Sequence, residues 1–287
     1  MPMNKMKKTL YVSDLDGTLL NTEGKLSDYT RDAIGNFAKN GVLFTCATGR
    51  TLSSVKMLMG DVKFSCPAIL SDGLLTFDMQ NERIIQASVL PNQLIRQVEE
   101  KLNKLDKDGF LYCIKGNQYA LFYTSESNAL SQRFIKSKAP FLKDNIFKID
   151  SFSALPQEYL PLYFVVYDEY DNLTLLQKAV NTIQNVHCLL NRDVYHEQNN
   201  IYFMNILTDS TSKHSAIHSL KKYLGVDEVV AFGDNYNDLP MLASADRCYV
   251  PENGIPEAKK IATQVIASCD LDSVVKFIEE ETNSQCG

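Results

Sequence analysis

Two carboxylates stand two residues apart in Asp14-Leu15-Asp16-Gly17-Thr18, directly after a short apolar run at residues 9–13. If the strand continued, both would point to one face; a tight turn through Gly17 would instead fan them around a single point. Carboxylates that close repel each other and call for a shared proton or a cation. No Cys/His cluster lies nearby, so a hard ion with oxygen ligands, such as Mg²⁺, fits better than zinc. A helix-loop-helix calcium site does not fit, because counting from Asp14 puts Thr18 at position 5, Leu19 at position 6 and Lys25 at position 12. For the pair alone, a solvated turn is as good a reading as a functional site.

A second cluster, Gly233-Asp234-Asn235-Tyr236-Asn237-Asp238, follows the apolar run 229–232. If that strand neighbours the first, Asp234 and Asp238 converge on Asp14, and three carboxylates at one point invite a divalent metal. Turn chemistry alone also favours Gly, Asp and Asn here. Thr48-Gly49-Arg50 closes a further apolar run and opens a helix, where a hydroxyl beside free N–H groups can hold an anion or simply cap the helix. Lys213, in Ser212-Lys213-His214, stands at the start of a helix expected from Ser215, against the helix dipole, so another purpose is expected for it. His214 and His218 have the i, i+4 spacing of metal-binding pairs but no third ligand nearby, and are read as solvent-facing or packed imidazoles.

These clusters need elements to position them. Apolar runs at 9–13, 42–47 and 68–70 alternate with helical patterns at 27–39 and 52–59, the second run closing in Thr48-Gly49-Arg50 and the third in Ser71-Asp72-Gly73. The same grammar returns near the C-terminus, with helical patterns at 215–224, 239–243, 256–263 and 273–281 around strands at 229–232 and 248–250. Continuous apolar strands separated by helices imply a doubly wound, Rossmann-like parallel sheet covered on both faces, with ligands at the carboxyl ends of the strands. The middle reads differently. Helices at 91–105, 126–136 and 173–183 accompany strands at 110–115, 119–124 and 162–167, the first two joined by a Gly116-Asn117 hairpin signal, and two final strands complete the segment. An α/β core over 1–83 and 193–287 with an inserted α+β unit over 84–192 is therefore expected. The aromatic residues Phe110, Tyr112, Tyr119 and Phe122 of that insert alternate as strand residues do and are read mainly as packing.

The 287 residues, 45% hydrophobic and 22% charged, suffice for one large or two ordinary domains. A net charge of −6 argues against nucleic acid or an anionic membrane as partner. No apolar run approaches the roughly 20 residues of a membrane span. The basic opening 1–8 resembles the start of a signal peptide, but its apolar stretch is cut short at Ser13 and Asp14. Cys46, Cys66, Cys113, Cys188, Cys248, Cys269 and Cys286 are scattered without a C-x-x-C pair, as expected of reduced thiols in a cytoplasmic protein.

Together, D-L-D-G-T-L (14–19), A-T-G-R (47–50), S-K (212–213) and G-D-N-Y-N-D (233–238) resemble the four motifs of the haloacid dehalogenase superfamily. Their order and long separations resemble its Cof-type branch, whose class IIB α+β cap lies between the second and third motifs. The resemblance spans essentially the whole chain, and its first and fourth motifs together are the specific ones. It implies a phosphatase acting on small phosphorylated metabolites, sugar phosphates first, through an aspartyl-phosphate, with the cap closing over the site and opening to release product. Asp14 would attack phosphorus, and Asp16 would protonate the leaving oxygen and then activate water. Mg²⁺ would bridge Asp14, the Asp16 backbone carbonyl and Asp234. Thr48, Gly49, Lys213 and Asn237 would hold the phosphoryl group, and Asp238 would orient water or Lys213 from behind. The chain departs from the family where His214 replaces a frequent Gly and where Ser71-Asp72-Gly73-Leu74 stands in place of Asn-Gly-Ala; Asp72 is expected to alter substrate preference by adding negative charge. A phosphoryl-transferring mutase and a non-catalytic binding module are the rival readings.

Overall fold

The computed structural model describes residues 7–192 and 200–285. Cys286, the first six residues of the basic opening and residues 193–199, where the core was expected to resume, lie outside them. In chain order the elements are β1 (Thr9–Ser13), α1 (Asp28–Lys39), β2 (Leu43–Cys46), α2 (Leu52–Met59), β3 (Ala68–Leu70), β4 (Leu75–Asp78) and β5 (Arg83–Ala87). Then come α3 (Asn92–Lys104), β6 (Phe110–Lys115), β7 (Gln118–Tyr123), α4 (Ala129–Leu142), β8 (Ile146–Lys148), β9 (Leu160–Glu169), α5 (Tyr170–Val180), β10 (Val186–Arg192) and β11 (Ile201–Thr208). The chain closes with α6 (Lys213–Leu224), β12 (Glu228–Phe232), α7 (Leu239–Ser244), β13 (Arg247–Pro251), α8 (Pro256–Ile261), β14 (Gln264–Ile266) and α9 (Ser273–Gln285). These elements form two compact units, Met1–Ala87 with Thr211–Gly287, and Ser88–Ser210.

The first unit is built on a parallel sheet of order β14-β13-β12-β1-β2. Each strand is a nearly continuous apolar run because both faces are covered. On one face Leu10, Val12, Val229, Ala231 and Val250 pack with Ala216, Ile217 and Leu220 of α6 and with Met241 and Leu242 of α7. On the other, Phe44 meets Phe37 of α1, while Phe232 and Tyr249 meet Phe277 of α9. Strand order reverses between β1 and β12, which makes the carboxyl ends of those two strands the place where an open α/β sheet forms its ligand crevice. The third apolar run behaves differently from a further parallel strand. β3 touches β2's extension only through the parallel bridge Ala47–Ile69 and otherwise pairs antiparallel with β4, which pairs with β5 in a small three-stranded sheet.

The second unit is a six-stranded sheet of order β10-β11-β9-β6-β7-β8, antiparallel except for β7 with β8. One face is sealed by α3 and α5, whose Leu94, Val98, Leu173 and Leu176 pack on Leu111, Phe122, Phe164 and Met204. Helix α4 lies on the opposite face, where Phe134 packs on Phe110, Val165 and Tyr167. β11 pairs with β9 and β10, so residues 201–208 belong with this unit and not with the core, which the sequence pattern alone resumes at residue 193. The reason is non-local: which sheet a strand joins depends on partners far away in sequence. The expected hairpin is present, with Lys115 facing Gln118 and Gly116 at φ 57.

Candidate active site

Three adjacent parallel strands deliver the polar clusters to one edge of the core sheet. Asp14 follows the central β1 and donates its N–H to Phe232 O of β12 at 2.9 Å. Asp234 follows β12, and Thr48 follows β2 with its N–H on Ile69 O at 2.9 Å. The turn after Asp14 requires glycine at position 17 on two grounds. Its φ is 76, and a Cβ there would lie 2.5 Å from Asp234 Oδ2. This close approach draws the two acidic clusters together, and Thr18 Oγ1 reinforces it by donating to Asp234 Oδ1 at 2.9 Å. Asn253 steadies the same turn from the loop after β13, donating Nδ2 to Gly17 O at 2.7 Å while its Oδ1 accepts from Cys269 N at 3.0 Å.

Lys213 is the first residue of α6, capped by Ser212, whose Oγ accepts from Ser215 N at 3.1 Å. Its position against the dipole is explained by its partners. Nζ donates to Asp14 Oδ1 at 2.6 Å and to Asp238 Oδ1 at 2.7 Å, with both the lysine and Asp238 buried. Asp238 Oδ2 also accepts from the backbone N–H groups of Asp234 (3.1 Å) and Asn235 (3.2 Å). This carboxylate is thereby occupied in holding the lysine and the loop, whereas Asp14 and Asp234 carry fewer bonds. Gly73, at φ 99, passes so close to the start of α6 that a Cβ would meet Ser212 O at 2.2 Å, so no larger residue fits without moving Lys213.

The electrostatics follow from this crowding. Burial, then the neighbouring Asp238, pushes the Asp14 carboxyl up to about 7 against the pull of Lys213. Burial works against a charged Lys213, but Asp14 and Asp238 outweigh it and hold the ammonium protonated. Burial also raises Asp234, opposed by the hydrogen bond from Thr18. Carboxylate oxygens of Asp14, Asp234 and Asp238 all lie within 4.8 Å of one another. Three carboxylates against one ammonium leave two negative charges, and every donor is oxygen; that set fits a hard divalent cation.

The other expected residues are placed as follows. Asp16 is exposed, outside the group of three carboxylates, and its carboxylate is gripped on both oxygens by Arg50, Nε to Oδ2 at 2.8 Å and Nη2 to Oδ1 at 2.6 Å. Thr48 is buried, and its Oγ1 accepts from Arg50 N at 3.1 Å. It does not cap α2; Thr51 does, accepting from Ser54 N. Gly49 is exposed, and a Cβ on it would lie 3.0 Å from Asp72 Oδ2. Asp72 itself sits in a left-handed stretch, Ser71, Asp72 and Gly73, with its N–H on Thr48 O at 2.9 Å. Its Oδ1 is buried without a hydrogen-bond partner among the described residues, 3.9 Å from Lys213 Nζ. Asn237 is exposed on the turn Tyr236–Asp238. His214 and His218 both face solvent. Sequence reasoning missed Arg50, Thr18 and Asn253 as builders of the site. Thr18 had a signal in its place next to Gly17; Asn253, 236 residues from Gly17, had none.

A core sheet with its carboxylates at the switch point, and an α+β unit inserted after β5, is the architecture of haloacid dehalogenase-like hydrolases. The chain belongs to that family, whose model matches residues 11–278. Among relatives it is 25% identical over 283 residues to the 5-amino-6-(5-phospho-D-ribitylamino)uracil phosphatase YwtE of Bacillus subtilis, covering 95% of this chain and 97% of that one. It is 23% identical over 271 residues to the pyridoxal phosphate phosphatase YbhA of Escherichia coli, covering 92% and 95%. Among solved structures, TM0651 from Thermotoga maritima superposes with a TM-score of 0.71 at 22% identity, covering 96% of this chain and 97% of that one.

Proposed function

We propose that this protein is a Mg²⁺-dependent phosphatase that hydrolyses small phosphate monoesters through an aspartyl-phosphate on Asp14. The observation that carries this reading is the buried Asp14 at the end of the central strand, 2.6 Å from Lys213 Nζ and grouped with Asp234. A nucleophile so placed has an electrophile-binding cation beside it and little water to compete. In the first step a carboxylate oxygen of Asp14 attacks phosphorus, the ester P–O bond breaks, and Asp16 supplies a proton to the departing alcohol oxygen. In the second step Asp16 takes a proton from water, whose oxygen attacks the same phosphorus, freeing inorganic phosphate and restoring Asp14. For the first step Asp16 must leave Arg50, which grips both of its oxygens, and take up a proton from solvent before it can pass one to the departing alcohol. The pair is partly exposed and its two-pronged geometry makes it stronger than an ordinary surface ion pair, so parting it is part of what the step costs. Thr48, the Gly49 N–H, Asn237 and the third proton of Lys213 are assigned to the phosphoryl oxygens. Mg²⁺, held by Asp14, Asp234 and the Asp16 carbonyl, would neutralise charge between nucleophile and phosphate.

The inserted unit, from about residue 88 to 210, is assigned the role of a class IIB cap that selects the substrate. Names of the relatives specify a phosphorylated ribitylaminouracil and pyridoxal phosphate, which supports small phosphorylated metabolites, sugar phosphates or similar esters, as the substrate class. The described cysteines are all free, and no helix among the described residues is long and apolar enough to cross a membrane; we assign the protein to the cytoplasm. The test is inorganic phosphate release from a panel of sugar phosphates, nucleotides and phosphorylated cofactors, with Mg²⁺ and with chelator. Turnover is expected with Mg²⁺, falling about a hundredfold or more on chelation. Silence across the panel with Mg²⁺ present would remove the proposal.

A further inference from the structure

The six-stranded sheet of the inserted unit has two unlike faces. The face under α3 and α5 is closed by aliphatic packing. The other carries Phe110, Tyr112, Tyr163, Val165 and Phe203, and α4 covers only part of it. Between α4 and this face lies a cavity of about 720 Å³, within the size range of small-molecule sites. Its floor is aromatic. Tyr112 and Tyr163, opposite one another on β6 and β9, stack with centroids 5.0 Å apart and planes 12° apart, and Phe203 stands on the next strand. Its wall is cationic, with Arg133, Lys136 and Lys138 contributed by α4.

Two features of the lining narrow what fits. Among the described residues, none that lines the cavity is Asp or Glu, although the chain carries 35 acidic residues against 29 Lys and Arg. Arg133 and Lys136 form no ion pair among the described residues. A cationic ligand is therefore repelled, and a polyol finds no carboxylate to accept from its hydroxyls. A flat ring stacks on tyrosine and phenylalanine faces, and an anionic group on it meets guanidinium and ammonium donors. Phe141, at the end of α4 and 82% exposed, lies on the rim with an uncovered ring.

We propose that this cavity binds a planar aromatic or heteroaromatic anion, ring against the Tyr112, Tyr163 and Phe203 face and anionic group toward Arg133 and Lys136. The site lies wholly within the inserted unit and does not rest on the phosphatase reading. Flavin mononucleotide is the probe, because its fluorescence falls when its ring stacks on tyrosine. It is titrated into the full-length native protein with chelator present, so that hydrolysis does not intervene. A saturable fluorescence loss is expected. Riboflavin, which has the ring without the phosphate, should bind about tenfold more weakly, equivalent to about 1.4 kcal/mol. The double variant Arg133→Gln/Lys136→Gln should also bind about tenfold more weakly at an unchanged thermal midpoint. Lys213→Gln, compared with the native protein at pH 5, where loss of the ammonium costs the fold least, should leave flavin mononucleotide affinity within about twofold, since Lys213 does not line this cavity. Lack of saturable loss, equal binding of riboflavin, or binding lost in Lys213→Gln but kept in the α4 variant would each overturn the proposal.

Discussion

Asp14→Asn is expected to remove turnover about ten-thousandfold or more and yet to leave the metal-free protein more stable than the native chain above pH 7. The loss of rate follows from removing the attacking oxygen. The gain in stability follows from the surroundings of Asp14, which is buried beside Asp238 and whose carboxyl is pushed up to about 7 from an ordinary value of 3.8. A group whose pKa rises on folding stabilises the fold fully below its unfolded value, and that contribution is lost as pH climbs to the folded one. The native penalty therefore begins near pH 4 and is complete above pH 7, with an upper bound on the order of 4 kcal/mol. Asparagine carries no charge at any pH and keeps an oxygen for Lys213. Urea unfolding with chelator at pH 5 and pH 8 measures the effect: the variant should gain on the native protein as pH rises. Mg²⁺ should stabilise the native protein more than the variant, because it offsets a charge the variant lacks. A variant less stable than native at pH 8 would contradict this account of the site.

Lys213→Met should also lose most of the activity but act in the opposite direction on the fold. Methionine matches the length of the lysine stem without its charge. It would leave Asp14 and Asp238 facing each other in a site where Lys213 now donates to both at 2.6 and 2.7 Å. Breaking a buried ion pair from one side costs about 3–5 kcal/mol, because the remaining charge is stranded. Here two carboxylates are stranded, so the loss should be largest at pH 8 and shrink toward pH 5 as protons replace the ammonium. Loss of a cation beside the transferring phosphoryl group should itself cost about a thousandfold in rate. Denaturation at the two pH values, beside initial rates, checks both. Unchanged stability with rates within tenfold of native would show that Lys213 does not organise the site.

Much of this site was legible because the residues that converge lie in turns directly after strands, and strand ends in a parallel sheet are neighbours. Asp14 and Asp234 needed only the adjacency of β1 and β12, and Lys213 betrayed itself by standing against its helix dipole. What escaped depends on side-chain direction or on distant pairing. The grip of Arg50 on Asp16 is a choice of rotamer. Thr48 was one of several polar residues before α2 able to cap it, and the cap fell to Thr51. In the fold, β14 is only three residues long at the sheet edge, with Val265 41% exposed, too short to show a period, and the helical reading ran through its approach at 262–263. Helix α4 runs on through Pro140 to Leu142, past the end expected at 136. Proline in the last turn forfeits a single bond to a carbonyl near the surface, and Lys143 at φ 50 closes the helix instead. β11 joined the inserted unit because its hydrogen-bond partners, β9 and β10, lie there.

The claim on which the rest depends is that Asp14 becomes covalently phosphorylated. Asp16→Asn mixed with 4-nitrophenyl phosphate isolates that event. This leaving group departs without a proton, so the first step proceeds, whereas the second lacks the base that activates water. Acid quenching followed by peptide mass analysis should find one phosphoryl group on the peptide that contains Asp14, at Asp14 itself, and none in Asp14→Asn/Asp16→Asn. Release of 4-nitrophenol with the phosphoryl group on no residue, or on any residue but Asp14, would contradict the mechanism.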